Sequence, residues 1–285
     1  MKNEKVIGVD LGGTKVLSAR IIGTSVETMH RTLITSDGPE KQIIDEVISN
    51  ISEVFEPDIA GIGVGVPGLV DRGGILYDLQ NIPSWKKVPL RQILEEHFKV
   101  PVQINNDANC FALGEKYFGK GKDHKDVMGL IVGTGLAAGI IIDDKLYNGH
   151  NCGAGEFGML PYKDHIYEYY AAGQFFKNVY QTSGEIVHQG AQNGDEQALK
   201  MFSELGYHLG NAIIAILYSL DPEIIILGGS VSKAYPFYKA ALWERLQTFA
   251  YSPVVGRLTI EVSENPNIAV LGAAALVYDT ENREL

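Results

Sequence analysis

The 285-residue chain is 45% hydrophobic and 21% charged with a formal net charge of −11, which fits a soluble folded protein long enough for two domains with sizeable cores. So acidic a balance argues against non-specific nucleic-acid binding, which needs a basic face, and no nucleic-acid partner is expected. No apolar run follows Met1–Lys5, and the longest apolar stretch, 129–142, is broken by glycine and too short to span a bilayer, so neither a signal peptide nor a membrane partner is expected.

In chain order, Val6, Ile7 and Val9 form a β-branched run that stops at Asp10, Gly12 and Gly13 make a turn, and Val16-Leu17 resume a strand. The tip of this hairpin carries Asp10, Gly12, Gly13, Thr14 and Lys15. Glycines let backbone N–H groups approach a ligand closely, and a turn of exposed N–H groups cradles anions. Thr14 and Lys15 add phosphate donors, and Asp10 can hold a hydrated Mg²⁺ through its waters. The spacing matches neither a Walker loop nor a dinucleotide fingerprint, and a tight hairpin turn explains Gly-Gly equally well. A third strand is expected near 27–34. Ile43, Ile44, Val47, Ile48, Ile51 and Phe55 then draw a helical stripe within 39–55.

A buried strand over 59–66 runs into Pro67-Gly68, a short helix over 90–98 follows, and a strand over 101–104 ends at Asn105 before a helix over 108–118. Helices between strands at this spacing imply a mostly buried mixed sheet. The lysine-rich run 119–125 reads as a solvated loop. At 128–142 the hairpin pattern returns: an apolar strand, a turn holding Gly133, Thr134, Gly135 and Gly139, and a return strand at 140–142. Two such turns can grip one polyphosphate. The longest helix, 196–220, carries Phe202, Leu205, Leu209, Ala212, Ile213, Ile216 and Leu217 at spacings of three or four. Asp221-Pro222-Glu223 leads into a strand over 224–227, then Gly228, Gly229 and Ser230, where bare backbone suits a flat base and ribose. An apolar helix over 269–277 closes the chain. Cys110 and Cys152 lack CxxC spacing; they fit a reducing cytoplasm without disulfides and read as small core residues.

Three glycine turns in this order resemble the two phosphate motifs and the adenosine motif of the sugar kinase, heat-shock ATPase and actin superfamily. The finer resemblance is to the ROK family of sugar kinases and repressors. It rests on Gly65-Val66-Pro67-Gly68, Asn81 to Trp85, Asn105-Asn106-Asp107-Ala108-Asn109 and Gly155-Glu156-Phe157-Gly158, and it covers the chain from Val6 to Ala275. The resemblance implies a duplicated, actin-like (ribonuclease H-like) α/β fold with two lobes around a central cleft. The small lobe would comprise residues 1–117 with a returning C-terminal helix at 269–285, and the larger lobe residues 118–268. It further implies a cytoplasmic homodimer whose small-molecule partners are ATP and a sugar.

Asp107 is the leading candidate for catalysis. It follows a strand and opens a helix, where Asn105, Asn106 or Asp107 could equally be an N-cap. The functional reading is a general base that takes the proton of an attacking sugar hydroxyl. By resemblance, Asp107 serves the 6-hydroxyl, Gly68 and Asn106 bind the sugar, Glu156 contacts it near its 1- and 2-hydroxyls, and Glu168 in Glu-Tyr-Tyr-Ala-Ala-Gly is a second sugar carboxylate. The glycine turns, with Asp10, Thr14, Lys15, Thr134 and Ser230, would bind ATP and Mg²⁺. The chain departs from the family at Met159, where a sugar- and zinc-binding His is usual, and the cysteine cluster that follows is missing. His150, Cys152 and His165 are scattered, so no structural zinc is expected, and Tyr167, Tyr169 and Tyr170 are expected to pack the shortened loop. Some N-acetylmannosamine kinases of the family share this pattern. A sugar-sensing repressor, with a helix-turn-helix ahead of the first glycine turn, has little room in the nine residues before Asp10. A sugar-binding protein without turnover is a third reading.

Overall fold

The computed structural model describes residues 4–79, 81–150 and 153–281; Cys152 lies outside them. The chain opens with three strands, β1 (Lys5–Leu11), β2 (Lys15–Ile22) and β3 (Ser25–Leu33), then α1 (Glu40–Ser52) and β4 (Ile59–Val66). Three two-residue strands follow, β5 (Leu69–Val70), β6 (Leu76–Tyr77) and β7 (Lys87–Val88), before α2 (Leu90–Phe98), β8 (Val102–Asn106) and α3 (Asp107–Phe118). The glycine hairpin β9 (Val127–Val132) and β10 (Leu136–Ile142) leads to β11 (Lys145–Leu146). Short elements come next: β12 (Pro161–Tyr162), β13 (His165–Ile166), α4 (Tyr167–Ala171), α5 (Phe175–Tyr180) and α6 (Gly184–Gln192). The chain ends with α7 (Glu196–Leu220), β14 (Ile224–Gly228), α8 (Tyr235–Leu246), α9 (Ser252–Val255), β15 (Thr259–Val262) and α10 (Ile268–Glu281). Among the described residues no helix is long and apolar enough to cross a membrane.

The chain divides into two units, one of residues 1–123, 139–154 and 265–285, the other of residues 124–138 and 155–264. In the first unit five strands lie in the order β3-β2-β1-β4-β8. The β1–β2 and β2–β3 pairs are antiparallel, whereas β4 runs parallel to both β1 and β8. Alternation along β1 sends Ile7, Val9 and Leu11 into a core with Ile43, Val47 and Ile51 of α1, and Val6 into a second core with Val270, Leu271 and Ala274 of α10. The run expected to stop at Asp10 continues one residue further, because Leu11 still pairs with Val16.

Glycine sets how close α10 lies. A Cβ on Gly8 would stand 2.0 Å from the Val270 carbonyl oxygen, one on Gly63 1.8 Å from that of Ala273, and one on Gly272 1.7 Å from that of Cys110 in α3. These neighbours are backbone and cannot swing aside. The expected return of the last helix onto the N-terminal strands is therefore a backbone-to-backbone contact.

In the second unit β14 runs parallel to β9 and β15. The second sheet has the order β11-β10-β9-β14-β15, and the division between units falls inside β10. Helix α7 buries Phe202, Leu205, Leu209, Ala212, Ile213, Ile216 and Leu217, the stripe read from the sequence. Its Gly206 faces the Tyr238 carbonyl of α8, where a Cβ would approach to 2.4 Å.

Gly63→Ala and Gly272→Ala are each expected to destabilise the protein by on the order of 1–3 kcal/mol through overpacking. Gly153→Ala, at a site where a Cβ meets nothing within 4 Å, should leave stability unchanged. Urea unfolding at neutral pH checks both expectations, and equal midpoints for all three variants would contradict the close-packing account.

Candidate functional site

In the first unit the polar candidates gather at the carboxyl ends of the parallel strands. Asp10 pairs with Gly65 across β1 and β4, and Val66 with Asn106 across β4 and β8, so the three strand ends share one edge of the sheet. Parallel α/β sheets commonly bind ligands at this edge. The Gly12 N–H donates to the Lys15 carbonyl at 2.9 Å and closes the first glycine turn. Thr14 and Lys15 remain exposed on that turn. Gly13 lies against Asn81, where a Cβ would come within 2.5 Å of the asparagine Cβ, so this glycine also serves packing.

The N-cap alternative falls to Asn106, whose side chain accepts the Ala108 N–H at 2.8 Å. Asp107 is the first residue of α3, and its Oδ1 takes the same N–H at 2.8 Å. The Asn106 amide also donates to the Gly68 carbonyl at 3.2 Å, and Gly68 adopts a φ of 112°. Thus Gly68, Asn106 and Asp107 come together. Beneath them lies a buried amide network. Asn105 donates to Asn148 at 3.1 Å, and Asn109 donates to Asn105 at 2.9 Å. It fixes the β8–α3 corner that aims Asp107.

Cys110 registers both first-unit carboxylates. Its thiol is pushed well up by burial, with the charges of Asp107 and Asp10 adding to the shift. Asp10 is itself raised by burial, against the opposing pull of Lys15 and Arg31. Gly139 is not part of a phosphate turn. It sits inside β10, where a Cβ would meet the Ala108 carbonyl at 2.3 Å and the Ala112 Cβ at 2.6 Å, so it is a packing glycine beneath α3.

In the second unit the Gly133–Gly135 turn is closed by a 3.0 Å bond from the Gly133 N–H to the Gly135 carbonyl. A Cβ on Gly133 would meet nothing within 4 Å, which leaves open space beside bare backbone. Gly133, Thr134 and Ser230 line one cavity of about 830 Å³, together with Gly173, Phe176 and His188 among others. Gly229 has a φ of 83°, and a Cβ there would stand 2.5 Å from the Val132 carbonyl, so Gly228-Gly229 turns tightly off β14. The part of this cavity formed by 173–188 was not read from the sequence. It lies on short helices without a phosphate-type motif; the sharpest local signal was Ser183, which caps α6.

Glu156 opens a single 3₁₀ turn, Phe157–Met159, and Glu168 lies on α4. Glu168 accepts the Leu136 N–H at 3.0 Å and the Gln174 amide at 2.9 Å, and a Cβ on Gly135 would come within 2.5 Å of its Oε2. Glycine at 135 thus makes room for the carboxylate. Partial burial and the charge of Glu168 push the Glu156 carboxyl upward. Met159 is 57% exposed. The tyrosines pack the shortened loop as expected. Tyr167 stacks on Tyr162 at 4.4 Å, Tyr169 on His165 at 4.0 Å, and Tyr170 meets Tyr162 edge-on at 5.8 Å. Among the described residues no three His, Cys, Asp or Glu side chains group closely enough to hold a metal ion.

The sequence model of the ROK family matches residues 6–280. The glucokinase of Thermotoga maritima is 29% identical over 317 residues, covering 98% of this chain and 99% of its own. The xylose repressor of Caldicellulosiruptor bescii is 28% identical over 310 residues, covering 95% of this chain and 77% of its own. The crystal structure of a ROK family glucokinase from Streptomyces griseus, in complex with glucose and AMPPNP, matches with a TM-score of 0.78 at 25% identity, over 95% of this chain and 98% of that one.

Burial of Asp10 has a measurable cost. A carboxyl whose pKa is raised by folding favours the folded state below its unfolded pKa, and that contribution is lost as pH rises through the folded value. Asp10→Asn is therefore expected to raise the unfolding midpoint at pH 7. It should also flatten the decline in stability above the ordinary aspartate value of 3.8. Thermal unfolding of both proteins across this range tests the sign; a lower midpoint for the variant at pH 7 would reverse it.

Proposed function

The chain belongs to the ROK family and has the actin-like ATPase fold of its sugar kinases, and from that premise we propose that it transfers the γ-phosphoryl group of ATP to the 6-hydroxyl of a hexose, glucose or an N-acetylhexosamine. The observation that carries this reading is the position of Asp107. It begins α3 at the carboxyl edge of the sheet, beside Gly68 and next to Asn106, the N-cap residue of the helix.

Phosphoryl transfer needs positioning and charge neutralisation more than covalent help. In this reading the Asp107 carboxylate accepts the proton of the sugar 6-hydroxyl as the oxygen attacks. Asn106 and the Gly68 backbone orient neighbouring hydroxyls. Glu156 and Glu168 accept hydrogen bonds from hydroxyls elsewhere on the ring, since carboxylates make the stronger, charge-assisted bonds. In this reading the 12–14 turn offers contacts to phosphate through Thr14 and the Lys15 ammonium, and the 133–135 turn offers them through Thr134. Ser230 and the cavity behind Gly133 take the nucleoside.

Asp10 suits Mg²⁺, being a hard oxygen donor whose charge Lys15 and Arg31 leave incompletely compensated. When bound, the ion would neutralise charge on the phosphates. No zinc enters this scheme. The homodimer and the cytoplasmic location implied by the family resemblance belong to the same proposal.

A second reading, a sugar-binding regulator without turnover, draws support from the likeness to a xylose repressor. ADP release from ATP-Mg²⁺ with glucose, N-acetylmannosamine and N-acetylglucosamine separates the two: turnover of any one favours the kinase, and binding of sugar without ADP release favours the regulator.

Asp107→Asn is expected to lower kcat by roughly 10²–10⁴-fold, the usual worth of a general base, while calorimetric sugar affinity stays within a few-fold. A variant turning over at near wild-type rate would remove Asp107 from the base role. Elemental analysis of the purified protein is expected to find no stoichiometric zinc, and one zinc per chain would contradict the zinc-free scheme.

A further inference from the structure

His208 on α7 is 3% exposed. Its Nδ1 lies 3.0 Å from the Tyr162 hydroxyl on β12, whereas its Nε2 has no hydrogen-bond partner and stands 3.6 Å from a Glu204 carboxylate oxygen. A histidine kept only to fill space would do better as an apolar residue, because a buried ring nitrogen without a partner is costly. Burial pushes this imidazole below its ordinary range, helped by Lys163 and opposed by Glu204.

Tyr162 belongs to a short hairpin, β12–β13, that lies in sequence between Glu156 and Glu168. Glu156 precedes the turn before it, and Glu168 follows it on α4. Tyr162 pairs with His165 across the hairpin, and the Tyr167 N–H, at the start of α4, donates to the Leu160 carbonyl at 3.0 Å. The Tyr162 ring stacks on Tyr167, and the Tyr170 ring lies 5.1 Å from His208. A second tie reaches the same glutamate from the other side. Gln174 donates to Glu168, α5 follows, and the Tyr180 hydroxyl at its end donates at 2.5 Å to Glu204, one turn before His208. Helix α7 thus grips the Glu168 segment at both ends, through Glu204 and His208.

We propose that His208 is a positioning residue for the sugar, which through Tyr162 holds the 160–166 hairpin and sets the place of Glu168; this rests on the reading in which Glu168 binds the sugar. Three substitutions test it. Tyr162→Phe keeps the stacked ring and removes the bond. His208→Leu removes the partner. His208→Gln keeps a polar group that can meet the Tyr162 hydroxyl. Calorimetric titration with each of the three sugars, and separately with a non-hydrolysable ATP analogue, should show sugar affinity reduced about five- to tenfold in Tyr162→Phe and His208→Leu. Nucleotide affinity should stay within twofold in both, and His208→Gln should bind sugar within twofold of wild type.

Unchanged sugar affinity in the first two variants overturns the proposal, as does an equal fall in sugar and nucleotide affinity, the mark of a general packing defect. Wild-type protein that binds none of the sugars overturns the kinase reading instead. Amide hydrogen exchange then decides the positioning claim alone: faster exchange over 157–171 but not over 133–135 in Tyr162→Phe supports it, and equal exchange overturns it.

Discussion

Backbone touching backbone is the constraint on which the first unit depends. Where Gly8 and Gly63 of the sheet, and Cys110 of α3, meet α10, no side chain intervenes. A helix with ordinary side chains at its contact surface packs 8–10 Å from its neighbour, and every added carbon would push it outward. Here the small residues bring α10 against both the sheet and α3 at once. Helix α3 is pinned along its length: Gly114 lies against the Ile268 carbonyl at the start of α10, and Gly139 of β10 lies against Ala108. Since α3 begins with Asp107, the carboxylate at its first residue takes its position from contacts that have no chemistry of their own.

This also shows where sequence reasoning succeeds and where it stops. The runs of β-branched residues, the α1 stripe, the strand before Asn105, and the α7 stripe were legible because each repeats a period over enough residues to stand out. The segment 155–192 was less so. Its helices are five, six and nine residues long, too short to carry a convincing stripe, and they hold together through tyrosine and histidine contacts between elements. Gly139 illustrates a different limit. In a glycine-rich stretch the residue that turns the chain and the residue that lets a helix come close look alike, and only the neighbour α3 tells them apart. Gly13 serves both purposes, since it lies on the turn and also admits Asn81.

Electrostatics separates the candidate carboxylates into kinds. Glu168 has an oxygen on the Leu136 N–H and the other on the Gln174 amide, so its orientation is fixed from two directions. Glu156 stands in the field of that fixed charge and is pushed upward by it and by burial. Asp10 is raised by burial although two cationic side chains oppose the shift. Groups held this way are poorly stabilised in the protein alone, and a bound partner that supplies donors or positive charge would relieve them. Hydroxyl donors would suit Glu156 in the second unit, and a cation would suit Asp10 in the first.

Two residues of antiparallel pairing cannot hold a hairpin alone, so other contacts must order the 161–166 segment. The chain supplies that order with aromatic faces: Tyr162 on Tyr167, His165 on Tyr169, and the Tyr170 hydroxyl bonded to the Asp164 carboxylate. Stacking is tolerant of sliding, whereas a hydrogen bond to a buried ring nitrogen is not. Among the described contacts that anchor this hairpin to α7, the hydrogen bond between Tyr162 and His208 adds a fixed geometry to the stacked rings, and so supports the glutamate that follows.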